Sequence, residues 1–497
     1  MKRRRRRINH VVNRAQHFQE LWLKNIIQKG RETEFGKKHN LRSCRSYEDF
    51  KKNVPVVHYE DIRPDIVRMM NGERNVLWPG KINWYSKSAG TTDDKSKYIP
   101  VSREYLFKGH VAGSWDTMAF LYDKIPDATM FAEKSLVVGG SLQTYDKNPD
   151  TTIGDISAIL IRRMPFIGRP FYTPDFETAL LSSWDEKLER IIRISGKENV
   201  VMIGGVPTWN IVLFRKMLEY YEKDNLLELW PNLQAYVHGG VSFKPYFKVF
   251  EELIPNKDFV YQEIYNASEG FFAVQDRKTA PGMMPLLDNA MFFEFIPAEE
   301  WHKKYPRTVP IWEVKKDVNY ALLVTNNSGL WRYSPGDTVC FTSVDPWRFE
   351  ITGRTRHYIN AFGEEVIVAN TDEALSRTCE ETGAIATEYT VAPIYFSGKN
   401  RGGHEWLIEF HHLPVDLSTF ARILDENLQS LNSDYQAKRY KDMALKQLQL
   451  DSVPPGTFEK WLRMNKTMGA QIKIPRLSND RKVIESVKDY IANLSQT

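Results

Sequence analysis

The sequence predicts an α/β protein in two parts: a large N-terminal domain of mixed sheets with flanking helices, and a smaller, mobile α+β C-terminal domain. Three observations carry this expectation. The middle third repeats a short apolar run, a glycine turn and then a helical segment, the rhythm of parallel strands with helices on the sheet faces. From Met291 onward the rhythm changes to alternating strands, the mark of an antiparallel unit. After Gly353-Arg354 it changes again, to strand patterns and amphipathic helices that need a core of their own. A chain of 497 residues is also too long for one core of ordinary size.

In chain order, the first element is a basic run, Lys2 to Arg7, followed by Ala15, Phe18, Trp22 and Ile26 at helical spacing. The run has no apolar partner pattern of its own, so a disordered, solvated terminus is expected ahead of the alternatives, nuclear targeting, RNA tethering or contact with an anionic membrane. No continuous apolar segment follows it, which argues against a secretory signal. In the middle third, Leu136 to Val138 leads to Gly139-Gly140, and Val200 to Ile203 leads to Gly204-Gly205, with Pro207 suited to the first turn of a helix over Trp209 to Tyr221. Leu233 to Val237 leads to His238-Gly239-Gly240, and Phe259 to Ile264 to the turn Tyr265-Asn266-Ala267-Ser268-Glu269-Gly270. Ligands of such sheets sit at the carboxyl ends of the strands, where these glycine turns fall. Phe292 to Phe295, Ala321 to Thr325 and Asp337 to Thr342 read as antiparallel strands. A charged stretch, Arg354 to His357, is the expected hinge, dividing residues 1–356 from residues 357–497. Beyond it, Ile385 to Ser397 and Glu405 to His411 read as strands. Phe420, Ile423, Leu424, Leu428 and Leu431 share one helical face, as do Val483, Ile484, Val487, Tyr490, Ile491 and Leu494.

Composition excludes several classes. The formal net charge is +5, of which Lys2 to Arg7 carry +6, leaving −1 for the rest; no basic face remains for nucleic acid. The longest apolar stretch, Val200 to Phe214, holds two glycines, Pro207, Thr208 and Asn210 and is too short and interrupted to span a bilayer. Cys44, Cys340 and Cys379 are three and far apart, which offers neither a disulfide framework nor paired zinc ligands. A monomeric protein of the reducing cytoplasm is expected. His411 and His412 are adjacent on a strand, where side chains point to opposite faces, and read as structural or surface residues.

The densest chemistry lies in Ser86-Lys87-Ser88-Ala89-Gly90-Thr91-Thr92-Asp93-Asp94-Lys95-Ser96-Lys97-Tyr98-Ile99-Pro100. Gly90 lets backbone approach an anion, Ser and Thr hydroxyls and backbone N–H groups donate to it, and Lys95 or Lys97 neutralises it. This is the chemistry of a polyphosphate cradle, although no Walker loop is present.

Four segments then stand in order: SKSAGTTDDKSKYIP, YNASEGFF, LWRYSPGDTV and TGRTRHYINAFGEEV. Together they resemble the core motifs of ATP-dependent adenylate-forming enzymes, the superfamily of acyl-CoA synthetases, peptide adenylation domains and luciferases. Within it the chain is most similar to the auxin-responsive acyl acid amido synthetases, in what resembles their bacterial branch. TEFGKKH at Thr33 to His39, SKYIPVS, NASEGFF, INAFGEEV and QIKIPRL near the C-terminus carry that likeness, which runs through nearly the whole chain.

The resemblance implies a two-step reaction with ATP and Mg2+: a carboxylic acid attacks the α-phosphate to give acyl-AMP and pyrophosphate, then the amine of an amino acid displaces AMP to form an amide. Such chemistry rests on positioning and charge neutralisation. By the same resemblance, Ser86, Ser88, Gly90, Thr91, Thr92 and Lys97 would hold the phosphates. Gly239, Gly240, Tyr265, Asn266 and Ser268 would frame the nucleoside, Asp337 would accept the ribose hydroxyls, and Arg354 would contact the nucleotide. Glu269 would bind magnesium, and Lys473 would reach the reacting phosphate during adenylation. His110, Trp209 and Phe243 are candidate walls of the acyl pocket. Asp93-Asp94 departs from the family pattern, placing two carboxylates where many relatives have glycine. The lesser reading of Asp337 is a cap of the turn Pro335-Gly336-Asp337, and transfer to coenzyme A or a carrier thiol, or binding of nucleotide without catalysis, are the competing outcomes.

Overall fold

The computed structural model describes residues 1–89, 96–181, 183–243, 246–278, 282–301, 303–355, 358–396, 401–464 and 474–494. Its central sheet has seven strands, in the order Met284–Pro285, Gly270–Val274, Val260–Ala267, Ala235–His238, Val200–Gly204, Lys134–Val137 and Tyr172–Thr173. The five from Val260–Ala267 to Tyr172–Thr173 are parallel, and Val200–Gly204 and Ala235–His238 are buried at every residue, as strands covered on both faces must be. Pro207 opens the helix Pro207–Tyr221 as expected. The fourth glycine turn behaves differently. The strand Val260–Ala267 runs through Tyr265 and Asn266, then folds back at Ser268-Glu269 into the antiparallel strand Gly270–Val274. The reason is the run Phe271-Phe272-Ala273-Val274, wholly buried and rich in aromatic and β-branched residues that suit a strand.

A four-stranded sheet, in the order Ser96–Pro100, Trp84–Ala89, Asn148–Gly154, Leu142–Tyr145, carries the hairpin expected to hold phosphate, called the phosphate hairpin below. Its arms pair from Tyr85↔Pro100 to Ala89↔Ser96. Gly90, Thr91, Thr92, Asp93, Asp94 and Lys95, at the tip, lie outside the described residues. The antiparallel unit has five strands, Val309–Pro310, Met291–Pro297, Asn319–Asn326, Asp337–Val344 and Trp347–Arg354. It packs on an aromatic core that includes Phe292, Phe295, Trp331 and Phe341.

The C-terminal domain pairs Ile385–Ile394 with Gly403–His412 as expected, and adds a parallel strand, Gln449–Val453. The helices Leu417–Leu431 and Lys482–Leu494 match the two amphipathic patterns. His411 and His412 end the second strand, both exposed. One apolar core runs across the domain boundary, bringing Trp230 and Tyr246 together with Phe362 and Trp406. Among the described residues no helix is long and apolar enough to cross a membrane.

The basic terminus is not a solvated tail. Lys2–Val12 is a helix whose Ile8, Val11 and Val12 are buried and whose arginines meet acids far along the chain. Arg4 Nη2 donates to Asp116 Oδ2 at 3.0 Å, Arg5 Nε to Asp123 Oδ2 at 2.6 Å, and Arg7 Nη2 to Asp288 Oδ2 at 2.7 Å. Arg5 also lies 4.4 Å over the Phe120 ring. The apolar partner that the run lacks is supplied by Ile8, Val11 and Val12 just after it, and the acids by the helix Ala112–Lys124 and by Asp288, all more than a hundred residues away.

Candidate active site

A cavity of about 1940 Å3 opens at the carboxyl ends of the parallel strands. Single-ligand clefts run to about 300–1,000 Å3, so this one has room for a nucleotide and further substrates. Ser88 and Lys97 of the phosphate hairpin, Gly239-Gly240, the segment from Tyr265 to Glu269, Asp337 and Arg354 all line it.

The polar end is built on paired strands. Asp337 and Arg354 face each other in register across Asp337–Val344 and Trp347–Arg354, and Arg354 Nε donates to Asp337 Oδ1 at 2.8 Å. The Tyr265 hydroxyl donates to the other carboxylate oxygen. Arg354 Nη2 lies 3.4 Å from Glu365 Oε1, and its guanidinium sits 5.0 Å over the Tyr358 ring. Burial works against the Arg354 charge, but Glu365 and Asp337 hold its pKa well above the usual value. Asp337 is thus a strand residue locked by a phenol and a guanidinium, not the cap of a turn. Each of its oxygens keeps a second lone pair for a further donor.

Glu269 is 7% exposed and sits where Val260–Ala267 turns into Gly270–Val274. Its main-chain carbonyl accepts from the Tyr105 hydroxyl and from Asn326 Nδ2, each at 3.1 Å, so the turn is pinned from behind. Burial pushes its carboxyl up to about 7, with Lys97 pulling the other way and Asp337 adding to the rise. Lys97 is itself buried, and burial lowers its pKa against the pull of Glu269. The Tyr333 hydroxyl approaches Glu269 Oε1 at 3.5 Å.

Other expected site residues fall into distinct places. Ser86 is fully buried and donates to Ser268 Oγ at 2.8 Å, tying the phosphate hairpin to the Glu269 turn from behind the cavity wall. Asn266 Oδ1 pairs with His110 Nδ1 at 3.0 Å; burial pushes His110 down to about 4, so it is neutral, and it backs Asn266 without lining the cavity. Gly240 has φ +84°, open to glycine at little cost, and a Cβ on Gly239 would meet the Ile264 carbonyl at 2.4 Å. Phe243 lines the cavity, stacked on His238 with centroids 4.0 Å apart. Trp209 does not line it: the ring packs 4.3 Å from that of Trp184, under the Lys438 ammonium. Its apolar spacing on Pro207–Tyr221 is that of a core face. The apolar end is walled by Val111, Trp115, Met118, Phe131, Met202 and Phe243. Lys473 lies outside the described residues, as do Arg356 and His357 of the expected hinge.

Several lining residues have no counterpart among the sequence expectations: Lys87, Asp155, Tyr358, Glu365, Asp434 and Lys438. Lys87, Tyr358 and Glu365 stood inside quoted motifs, so their positions carried the signal. Asp155, Asp434 and Lys438 stand in no motif. Among the described residues no three of His, Cys, Asp or Glu converge as a metal cage.

The fold is that of the adenylate-forming ligases. Models of the GH3 family match the N-terminal domain over residues 4–259, the central domain over 284–354 and the C-terminal domain over 369–482; the chain belongs to the GH3 family. It is similar to the indole-3-acetic acid-amido synthetase GH3.6 of Arabidopsis thaliana, 23% identical over 98% of this chain and 92% of that one. It is also similar to the 4-substituted benzoates-glutamate ligase GH3.12 of the same plant, 22% identical over 98% of this chain and 97% of the other. Among solved structures, the AtGH3.15 acyl acid amido synthetase in complex with 2,4-DB superposes with a TM-score of 0.64 at 18% identity, covering 99% of this chain and 96% of that one. A 2-hydroxyisobutyryl-CoA ligase with 2-HIB-AMP and CoA superposes with a TM-score of 0.57 at 14% identity, over 99% and 93% of the two chains.

Proposed function

We propose that the protein activates an apolar, ring-bearing carboxylic acid with ATP and transfers the acyl group from acyl-AMP to the amine of an amino acid. The observation that carries this reading is the convergence of Lys97, Glu269, Asp337 and Arg354 in a cavity whose lining also includes the apolar side chains of Trp115, Met118, Phe131 and Met202. The ribose hydroxyls would donate to the free lone pairs of Asp337, and Arg354, fixed by Asp337 and Glu365, would face the nucleotide. Lys97 and the phosphate hairpin would take the polyphosphate, with Lys473 brought in for the first step. Glu269 fits a magnesium ion that travels with ATP, since such an ion keeps waters and phosphate oxygens and needs only one or two protein carboxylates. Bound there it would neutralise phosphate charge.

The apolar wall supports an aromatic acid. Trp115 and Phe131, both lining the cavity, stack with centroids 5.4 Å apart, and Tyr122 supports Phe131 from outside the lining at 5.6 Å; such rings prefer offset contacts. Indole-3-acetic acid and substituted benzoates, named for the plant relatives, are the first acids to try. The experiment is a screen of aryl and aliphatic acids crossed with the common amino acids and coenzyme A, read as AMP release. Amide product with an amino acid supports the reading. Product only with coenzyme A, or no acid-dependent pyrophosphate exchange with any acid, overturns it.

A further inference from the structure

Resting on the amide-ligase reading, we propose that Asp434 and Lys438 of the C-terminal domain, with Asp155 across the cavity, form the subsite for the zwitterionic amino-acid acceptor. Lys438 would hold its α-carboxylate, and the facing carboxylates its α-ammonium.

The two residues are one helical turn apart on Ser433–Arg439, a spacing that puts both side chains on one face. That helix packs against the strand Trp84–Ala89 of the phosphate hairpin, and both residues line the cavity together with Lys87 and Asp155. Lys438 is 7% exposed. Among the described residues its ammonium has no hydrogen bond or ion pair; it rests 4.3 Å over the Trp209 ring, with Asp434, Glu364, Asp155 and Glu365 acting on it from farther off. The Asp434 carboxylate is likewise without a hydrogen bond or ion pair among the described residues. Burial, then Glu365, raises its pKa, while Lys438 opposes the rise. Three other buried charges are closed on acids: Arg332 on Glu294, Arg348 on Asp276, Arg439 on Asp425. A buried cation and a half-buried carboxylate beside a cavity, each without a hydrogen bond or ion pair among the described residues, suit a ligand that brings charges of opposite sign. A free amino acid brings both in one molecule, at a spacing of two bonds. The neighbouring acid, Glu364, is spent on His404 Nε2 at 2.9 Å and the Phe362 amide at 2.6 Å. Asp155 accepts from the Ser141 amide at 2.8 Å, which fixes its carboxylate while leaving lone pairs free.

The step balances with these groups. The α-ammonium gives one proton to the Asp434 carboxylate and becomes a nucleophilic amine. Its lone pair forms the C–N bond to the acyl carbon while the C–O bond to AMP breaks, the electron pair leaving on the phosphate oxygen. The second nitrogen proton passes to that oxygen or to solvent, giving amide and AMP.

The test compares two half-reactions, using the acid of the screen that gives the highest pyrophosphate exchange. Acceptor probes are the common L-amino acids, their α-carboxamides, and hydroxylamine, which is neutral near pH 7 and has no carboxylate. The wild-type enzyme should prefer the amino acid to its carboxamide by on the order of tenfold or more in kcat/KM, the scale of one charged hydrogen bond. Lys438→Met should raise the amino-acid KM by a similar factor and abolish that preference, while hydroxamate formation and pyrophosphate exchange persist. Asp434→Asn should lower kcat with amino acids more than with hydroxylamine. Equal use of amino acid and carboxamide by the wild type, or an unchanged preference in Lys438→Met, overturns the subsite while leaving the amide-ligase reading intact. Loss of exchange in parallel with amide synthesis overturns it too, since Lys438 would then serve the whole cavity. No exchange by the wild type with any acid removes the parent reading and the subsite with it. The wild-type comparison decides even where a variant fails to fold.

Discussion

Glu269 sets function against stability in a single side chain. Its carboxyl has an ordinary value of 4.5 and is pushed up to about 7 in the fold, chiefly by burial. The sign follows from linkage. Below about 4.5 both folded and unfolded chains are protonated and the residue costs nothing; as pH rises, the unfolded chain loses its proton first, so stability falls until about 7 and the cost is then complete. At about 1.4 kcal/mol per pKa unit the cost is about 3 kcal/mol. Glu269→Gln should therefore raise the melting temperature at pH 8 and change it little at pH 5. The same variant should slow adenylation by on the order of a hundredfold through lost metal placement, and wild-type exchange should decline at acid pH, where a proton competes with the metal for the carboxylate. A variant that keeps wild-type pyrophosphate exchange would show that Glu269 holds no metal. Asp337 differs, because it is both a proposed ribose acceptor and the joint between Arg354 and Tyr265. Asp337→Ala should weaken ATP binding in calorimetric titration and also lower the melting temperature, since a buried guanidinium and phenol lose their acceptor at about 1–3 kcal/mol. Lower ATP affinity with an unchanged melting curve would mean that the pair with Arg354 contributes nothing to the fold.

Among the elements, the N-terminal helix is where sequence reading and structure part. Six charges in a row read as solvated because nothing local answers them; the answer is Asp116, 112 positions from Arg4, and sequence distance hides such pairs. The Asp116 side chain is 3% exposed, and burial raises its pKa against the pull of Arg4. Removing Met1 to Arg7 should therefore destabilise the protein: a buried carboxylate that loses its partner costs about 3–5 kcal/mol. Arg4→Ala alone should lower the melting temperature by several degrees, and adding Asp116→Asn should restore part of the loss; additive effects of the two changes would show that they do not interact. The strands and helices that did read correctly, Val200–Gly204, Pro207–Tyr221, Asn319–Asn326 and Leu417–Leu431, are those whose apolar residues keep one period throughout. Gln449–Val453 did not, because Gln449, Asp451 and Ser452 are exposed on it and leave no run to see. The site divides the same way. Asp337, Arg354 and Glu269 could be placed at one cavity from ordered motifs, whereas Asp434 and Lys438 reach it only through a helix that tertiary packing brings onto the Trp84–Ala89 strand.

For the whole molecule, the proposed chemistry asks one small domain to serve two steps. Residues 358–367 are held from both sides. Thr208 Oγ1 donates to the Phe362 carbonyl at 3.1 Å and Asn360 Nδ2 to the Gly240 carbonyl at 3.1 Å, while Asn479 Nδ2 donates to the Tyr358 carbonyl at 3.1 Å and Asn432 Nδ2 to the Glu365 carbonyl at 3.2 Å. Turning residues 357–497 about a hinge near Arg354 to His357 would exchange the first pair of contacts and carry the second pair along. Such a rotation would present Lys473 for adenylation in one position, and the Asp434–Lys438 face for amine attack in the other. The two lysines should then fail in opposite half-reactions. Lys473→Ala should depress acyl-AMP formation by on the order of a hundredfold yet leave amide synthesis from chemically prepared acyl-AMP within about twofold. Lys438→Met should leave acyl-AMP formation within about twofold and weaken amide synthesis from acyl-AMP by on the order of tenfold, through the amino-acid KM. Rapid-quench measurement of each half-reaction separates them, and equal damage to both steps by Lys473→Ala would mean that this lysine supports the fold, or that the domain serves both reactions from one position.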